Sequence, residues 1–131
     1  MRARTVHLIV PIVLIAGCAH AVTRGRPGDG TSDSRSAEVT GTLVEVRHYL
    51  ESGAIGDGHT LCAFLSALGD APLGVVEDDG TLVMLTSRPS QIALHVTRTV
   101  RVTGTLTGDG QLLVPRAMQV KDGATWTPVE P

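Results

Sequence analysis

A short stretch, Val39-Thr40-Gly41-Thr42-Leu43, recurs as Val102-Thr103-Gly104-Thr105-Leu106. The β-branched residues predict a strand in both places. Glycine weakens a strand interior, unless the sheet bends sharply or two backbones approach closely at that point. In a domain with about five predicted strands, two such glycines indicate a small curled β-barrel.

The flanking sequence supplies the other predicted strands. The first is predicted to extend over 39–47 and the fourth over 99–106. Between them, an apolar run, the turn Asp78-Asp79-Gly80 and a second apolar run predict a hairpin over 73–86. A last strand is predicted over 111–121, and Pro115 within it indicates a sheet edge or a bulge.

Two helices are predicted between the strands. Over 58–68, Leu61, Phe64, Leu65 and Leu68 share one helical face, and Gly69 ends the helix. A shorter helix is predicted within 87–96. The order strand, helix, hairpin, short helix, strand, strand resembles the five-stranded OB-fold. The predicted fold is therefore mainly β with short helices, forming a small OB-like barrel.

Composition bounds the classes of function. The chain has 131 residues, 42% of them hydrophobic and 18% charged, which is the balance of one globular domain. Three aromatic residues and a net charge of -2 offer neither stacking platforms nor a basic patch. These numbers argue against a nucleic-acid partner.

The N-terminus predicts export and lipidation. Residues 1–17 have a basic start and an apolar run that is too short to span a bilayer as a helix. The run ends in Leu14-Ile15-Ala16-Gly17-Cys18, which resembles the lipobox of bacterial lipoproteins. The resemblance implies cleavage before Cys18, whose thiol and amine receive acyl chains such as palmitate. The alternative is an ordinary signal peptide beside an incidental cysteine.

The resemblance also predicts how the mature chain is arranged. Residues 18–36 are rich in Gly and Ser and are predicted to be a flexible, lipid-anchored tether, and 37–131 the β domain. We expect an extracytoplasmic location, at the outer membrane in a host with two membranes and otherwise on the outer face of the cell membrane. Loss of Arg2 and Arg4 leaves nine basic and thirteen acidic residues, a net charge of -4.

One group of residues has metal-ligand spacing. His59 and Cys62 lie at i, i+3 on the predicted helix, with Ser66 on the same side. His48 becomes a third ligand if the loop 51–58 folds back. Imidazole and thiolate together suit zinc or copper. The alternatives are an inert, packed Cys62 or thiol chemistry between two chains.

A second resemblance bears on the same residues. It is carried by Tyr49-Leu50, Gly53, Gly56, His59, Cys62-Ala63, Gly69, Pro72, Gly74 and Asp78-Asp79-Gly80. These positions resemble an uncharacterised family of small exported bacterial OB-like proteins, whose members carry a Cys before the Tyr, the His, and two helix Cys. His48 and Ser66 stand at two of those positions in this chain. The resemblance implies a metal or redox site formed by His48, His59 and Cys62.

No catalytic motif accompanies these residues. Asp78-Asp79 fits a solvated turn, and His95, among apolar neighbours, fits packing. The leading hypothesis is a lipid-anchored, non-enzymatic extracytoplasmic binding domain whose ligand is an envelope protein, another envelope component or a metal ion. The alternative is a zinc- or copper-binding or redox accessory protein that uses His48, His59 and Cys62. A hydrolytic enzyme is the least favoured reading.

Overall fold

A computed structural model of the chain describes residues 34–53, 55–108 and 110–131. The predicted signal peptide, Cys18 and the tether up to residue 33 lie outside the described residues. In the part that is described, no helix has the length and apolar character needed to cross a membrane.

The described chain forms six strands and three short helices. The strands are β1 (Arg35–Glu45), β2 (Leu73–Val76), β3 (Leu82–Leu85), β4 (Thr99–Thr107), β5 (Leu112–Asp122) and β6 (Thr125–Val129). The helices are α1 (Val46–Ser52), α2 (Thr60–Leu68) and α3 (Pro89–Ile92). Two 3₁₀ turns, Asp57–His59 and Ala93–His95, precede α2 and follow α3.

Five of the strands close into a barrel. The hydrogen-bonded order is β3-β2-β1-β4-β5-β6, and a parallel pairing of β3 with β5 closes the ring. Long β1 makes this possible, because Arg35 to Thr42 pair with β4 and Thr42 to Glu45 pair with β2. The predicted five-stranded OB-like barrel is confirmed, with β6 added outside the ring on β5.

The two repeated glycines lie where backbones meet. A Cβ at Gly41 would collide with the carbonyl oxygen of Val76 on β2, and one at Gly104 with that of Val114 on β5. The β4–β5 register shifts next to Gly104, where Pro115 and Ala117 pair with consecutive β4 residues and Arg116 is left over. Of the alternatives predicted for these residues, the structure shows the close approach at the two glycines and the bulge at Pro115.

Several boundaries differ from the sequence predictions. β1 begins at Arg35, before the predicted domain start at 37, and ends at Glu45, because the chain enters α1 there instead of continuing as a strand to 47. The last predicted strand is shifted by one residue, to Leu112–Asp122, and the chain then turns at Gly123, whose φ is 57°, into the unpredicted β6. β6 contains Pro128, which an edge strand tolerates because one of its sides needs no donor.

Helix α2 packs against the rest of the domain through the face that carries its alanines, and its leucines lie on a different face. It contacts β1, α3 and the Ala93–His95 turn, and its buried residues are Ala63 and Ala67. Alanines one turn apart allow the helix to lie close to the barrel. The leucine row therefore points outward: Leu61, Leu65 and Leu68 are 68%, 57% and 49% exposed.

The barrel interior is apolar throughout. Strand residues alternate between buried and accessible positions most regularly along β4. The largest fully buried side chains are Leu43, Leu73, Ile92, Leu113, Met118, Val75, Val96, Val100 and Val102. Ile92 comes from α3, so the helical end of the domain seals this core.

Candidate functional site

Helix α1 is positioned by a buried carboxylate. Glu45 is only 2% exposed, and its two oxygens accept the backbone N–H groups of Arg47 at 2.9 Å and His48 at 3.0 Å. These amides have no partner inside the helix, so the carboxylate caps them. The cap fixes the backbone that carries His48.

The chain reverses direction after α1. Gly53 adopts a left-handed conformation with φ 65°, and its N–H donates to the carbonyl oxygen of Tyr49 at 2.7 Å. Gly56, with φ 129°, precedes the turn that ends at His59. Glycine reaches these positive φ values without steric cost. The described residues on either side of position 54 therefore bring the chain back from α1 to the Asp57–His59 turn, as the metal hypothesis requires.

The reversal brings two predicted ligands together. His48 Nε2 lies 3.0 Å from His59 Nδ1, with ring centroids 4.9 Å apart and ring planes tilted by 56°. A neutral imidazole has one N–H and one lone pair, so one of these nitrogens donates and the other accepts. The two histidines are eleven residues apart in sequence and form a direct contact.

Cys62 is the third predicted ligand. It is an exposed, free cysteine and therefore is not a packed core residue. Over residues 34–53, 55–108 and 110–131, no group of three or more His, Cys, Asp or Glu side chains is placed to hold a metal ion. The structure thus brings His48 and His59 into direct contact.

A second feature was not recognised in the sequence. An apolar groove of about 380 Å³ lies between α2 and the Ala93–His95 turn. Leu61 and Leu94, at 68% and 76% exposure, stand beside half-buried Phe64. The groove is lined by Asp57, Thr60, Leu61, Phe64, Ala93, Leu94 and Val96. The signal in the sequence was that Ala63 and Ala67 form a face of small residues on α2, opposite the face that carries the leucines.

A strained residue borders this groove. Thr97 has φ 68°, a left-handed conformation that a β-branched side chain rarely adopts. Its N–H donates to the carbonyl oxygen of Leu43 at 2.7 Å, and its hydroxyl lies 2.8 Å from that of Thr60 on α2. These contacts join β1, α2 and the segment leading into β4 at one corner.

His95 lines a small pocket next to β5 and β6. It is half-buried beside Arg98 and Asp122, which approach each other to 3.6 Å. Its Nδ1 is buried and has no hydrogen-bond partner among the described residues. Burial, and secondarily the charge of Arg98, lower the pKa of His95 below its usual value, so the neutral imidazole is favoured.

The paired aspartates belong to a turn. Asp79 Oδ1 accepts the backbone N–H of Thr81 at 2.9 Å, and this hydrogen bond lowers the pKa of the Asp79 carboxyl. Gly80 follows with φ 86°. Asp78 and Asp79 are both exposed, which fits a solvated hairpin turn.

Comparison with known proteins adds no relative to this picture. No protein-family model, curated protein or solved structure matches the chain. Its function is therefore inferred from its own residues.

Proposed function

We propose that this chain is a lipid-anchored, non-enzymatic binding domain of the bacterial cell envelope, facing the extracytoplasmic space. Its binding surface is the groove between α2 and the Ala93–His95 turn, and its ligand is an apolar segment of another envelope protein. One observation carries the proposal: Leu61 and Leu94 remain largely exposed on either side of an apolar groove.

Burial of the exposed leucine side chains favours binding of a partner at this groove. Burying a leucine side chain fully is worth about 1.5–3 kcal/mol, and contiguous exposed apolar surface commonly marks an interaction site. Leu65, one turn after Leu61, extends this exposed apolar surface along α2. A partner that covers this row gains that burial without disturbing the core.

The charges near the groove narrow the class of partner. Asp57 is its one charged lining residue among those described. The predicted mature chain has a net charge of -4. Both features disfavour nucleic acid and anionic lipid headgroups, which negative charge repels. An apolar peptide segment, with a basic residue opposite Asp57, fits the groove best.

The proposed location rests on the leader. The basic start, the short apolar run and the small residues before Cys18 together favour lipidation. Several acyl chains on Cys18 hold a protein stably at a membrane. Mass spectrometry of the mature N-terminus tests this step: a lipid-modified Cys18 is expected, and an unmodified, freely secreted chain contradicts it.

Crosslinking in intact cells tests the binding surface. A photoreactive residue at position 94 is expected to give one discrete protein adduct, which is lost when Leu61→Glu is added. The same group at exposed Thr125 on β6 serves as the matched control and should give none. An adduct of twice the chain's mass, an adduct with lipid alone, or equal labelling from both positions would each contradict the proposed partner.

A further inference from the structure

We propose that His48 and His59 form a two-histidine site for a borderline divalent cation, Zn²⁺ or Cu²⁺, and that Cys62 is not a ligand. The proposal is independent of the apolar groove and goes beyond the envelope-binding function. It rests on the contact between His48 Nε2 and His59 Nδ1.

The separation of these nitrogens suits a shared cation. With Zn–N bonds of about 2.0–2.1 Å, two tetrahedral ligands lie about 3.3–3.4 Å apart. Two neighbouring ligands of a square-planar Cu²⁺ lie about 2.8 Å apart with bonds of about 2.0 Å. The observed 3.0 Å falls between these values. Either arrangement requires the separation of these two nitrogens to change by about 0.2–0.4 Å.

Contacts within the protein fix the backbones of both histidines without a bound ion. Glu45 fixes the backbone of His48, and the turn at Gly53 and Gly56 returns the chain to His59. His48 is itself half-buried, while His59 is exposed. Ligands whose backbones are already ordered lose less entropy on binding, so the pair is prepared for a cation to enter from solvent.

The proton count balances. In the neutral pair, one proton lies between the two nitrogens and the second is on the far nitrogen of the acceptor ring. When a cation binds, the donor ring moves the shared proton to its own far nitrogen. His48 is then protonated on Nδ1 and His59 on Nε2. Each inner lone pair then faces the cation, and no proton is released overall.

The donor set determines the class of ion. Imidazole nitrogen suits zinc and copper, whereas calcium and magnesium prefer oxygen ligands. No third His, Cys, Asp or Glu in the described part of the chain completes the site. Water fills the remaining positions, and we expect an exchangeable ion at a two-ligand site.

Calorimetric titration with Zn²⁺ and Cu²⁺ tests the site. The full mature chain is extracted in detergent, carries no histidine tag and is freed of metal with a chelator. We expect one site, with affinity reduced at least tenfold in His48→Gln and in His59→Gln. The matched controls, Cys62→Ser and His95→Gln, should bind within twofold of the unaltered protein. Circular dichroism on each variant monitors folding.

Three results would overturn the proposal. An equal loss in Cys62→Ser would mean that the thiolate is a ligand and that a three-ligand site forms. Unchanged binding in a folded His48→Gln would place the ion elsewhere. Absence of binding by the unaltered chain would exclude the site, and it would leave the crosslinking result at Leu94 untouched, so the two proposals fail separately.

Discussion

Glu45 accepts the backbone N–H of His48 at 3.0 Å, so the residue that ends β1 also begins α1. Its carboxylate is almost completely withdrawn from solvent. One side chain thereby fixes the point where the barrel strand stops and the helix carrying His48 starts.

Replacing this cap should destabilise the domain. Glu45→Ala removes the acceptor for the backbone N–H groups of Arg47 and His48 at the start of α1. We expect the free energy of unfolding to fall by about 1–2 kcal/mol. Urea denaturation measures the change. Glu51→Ala, at an exposed position of the same helix, is the control and should have little effect. Equal losses in the two variants would mean that Glu45 does not cap α1.

The close approach at Gly41 makes a second prediction. Gly41→Ala places a methyl group against the backbone carbonyl of Val76, which cannot move without opening β1 from β2. We expect a loss of about 3 kcal/mol, measured by thermal or urea unfolding. Gly58→Ala is the matched control, because nothing lies within 4 Å of its added Cβ. A Gly41→Ala protein as stable as Gly58→Ala would refute the close approach.

The orientation of α2 can be tested with one exposed and one buried residue. Leu65→Gln should change the free energy of unfolding by no more than about 0.5 kcal/mol, because the side chain already faces solvent. Ala67→Leu should cost about 1–3 kcal/mol, because it overfills the contact with the barrel. The reverse ranking in urea titrations would mean that the leucines face the core.

His95 predicts how stability depends on pH. Its folded pKa is lowered, so below about pH 6.5 the unfolded chain binds a proton that the folded protein does not. The contribution to stability is present above that pH and is lost as the pH falls towards the folded pKa.

The pH effect is measured by urea midpoints at about pH 7.5 and about pH 5.5. His95→Gln should lose less stability between them than the unaltered protein. Arg98→Gln removes the secondary cause and should give an intermediate loss. An identical loss in all three proteins would show that other groups govern this range.

The sequence was sufficient for the barrel because its signals are local and strong. Gly41 and Gly104 each interrupt a β-branched run, and such an interruption has few structural explanations. The hairpin turn at Gly80 and the bulge at Pro115 depend on backbone geometry that only particular residues satisfy.

The missed elements are short, and their stabilising contacts are distant. α1 has seven residues, including β-branched and aromatic ones, so no helical period is visible. Its signals were the acceptor Glu45 at one end and Gly53 at the other. β6 contains Pro128 and is stabilised by pairing with β5, which neighbouring sequence alone does not reveal.

The candidate site was predictable only in part, because only some of its features are local in the sequence. The i, i+3 spacing of His59 and Cys62 is a local feature, and it drew attention to both residues. The approach of His48 to His59 depends on the reversal at Gly53. That contact belongs to the tertiary structure, which local spacing does not reveal.

The pairing of β1 with β4 has a consequence for the order of folding. The first strand, β1, forms its longest pairing with β4, more than fifty residues further along the chain. The pairing of β3 with β5 uses a strand that lies still closer to the C-terminus. Chains dominated by such distant pairings fold slowly. The ring cannot close before β5 is available, so a chain that is still being synthesised cannot complete the barrel until residues as far as Leu113 have emerged.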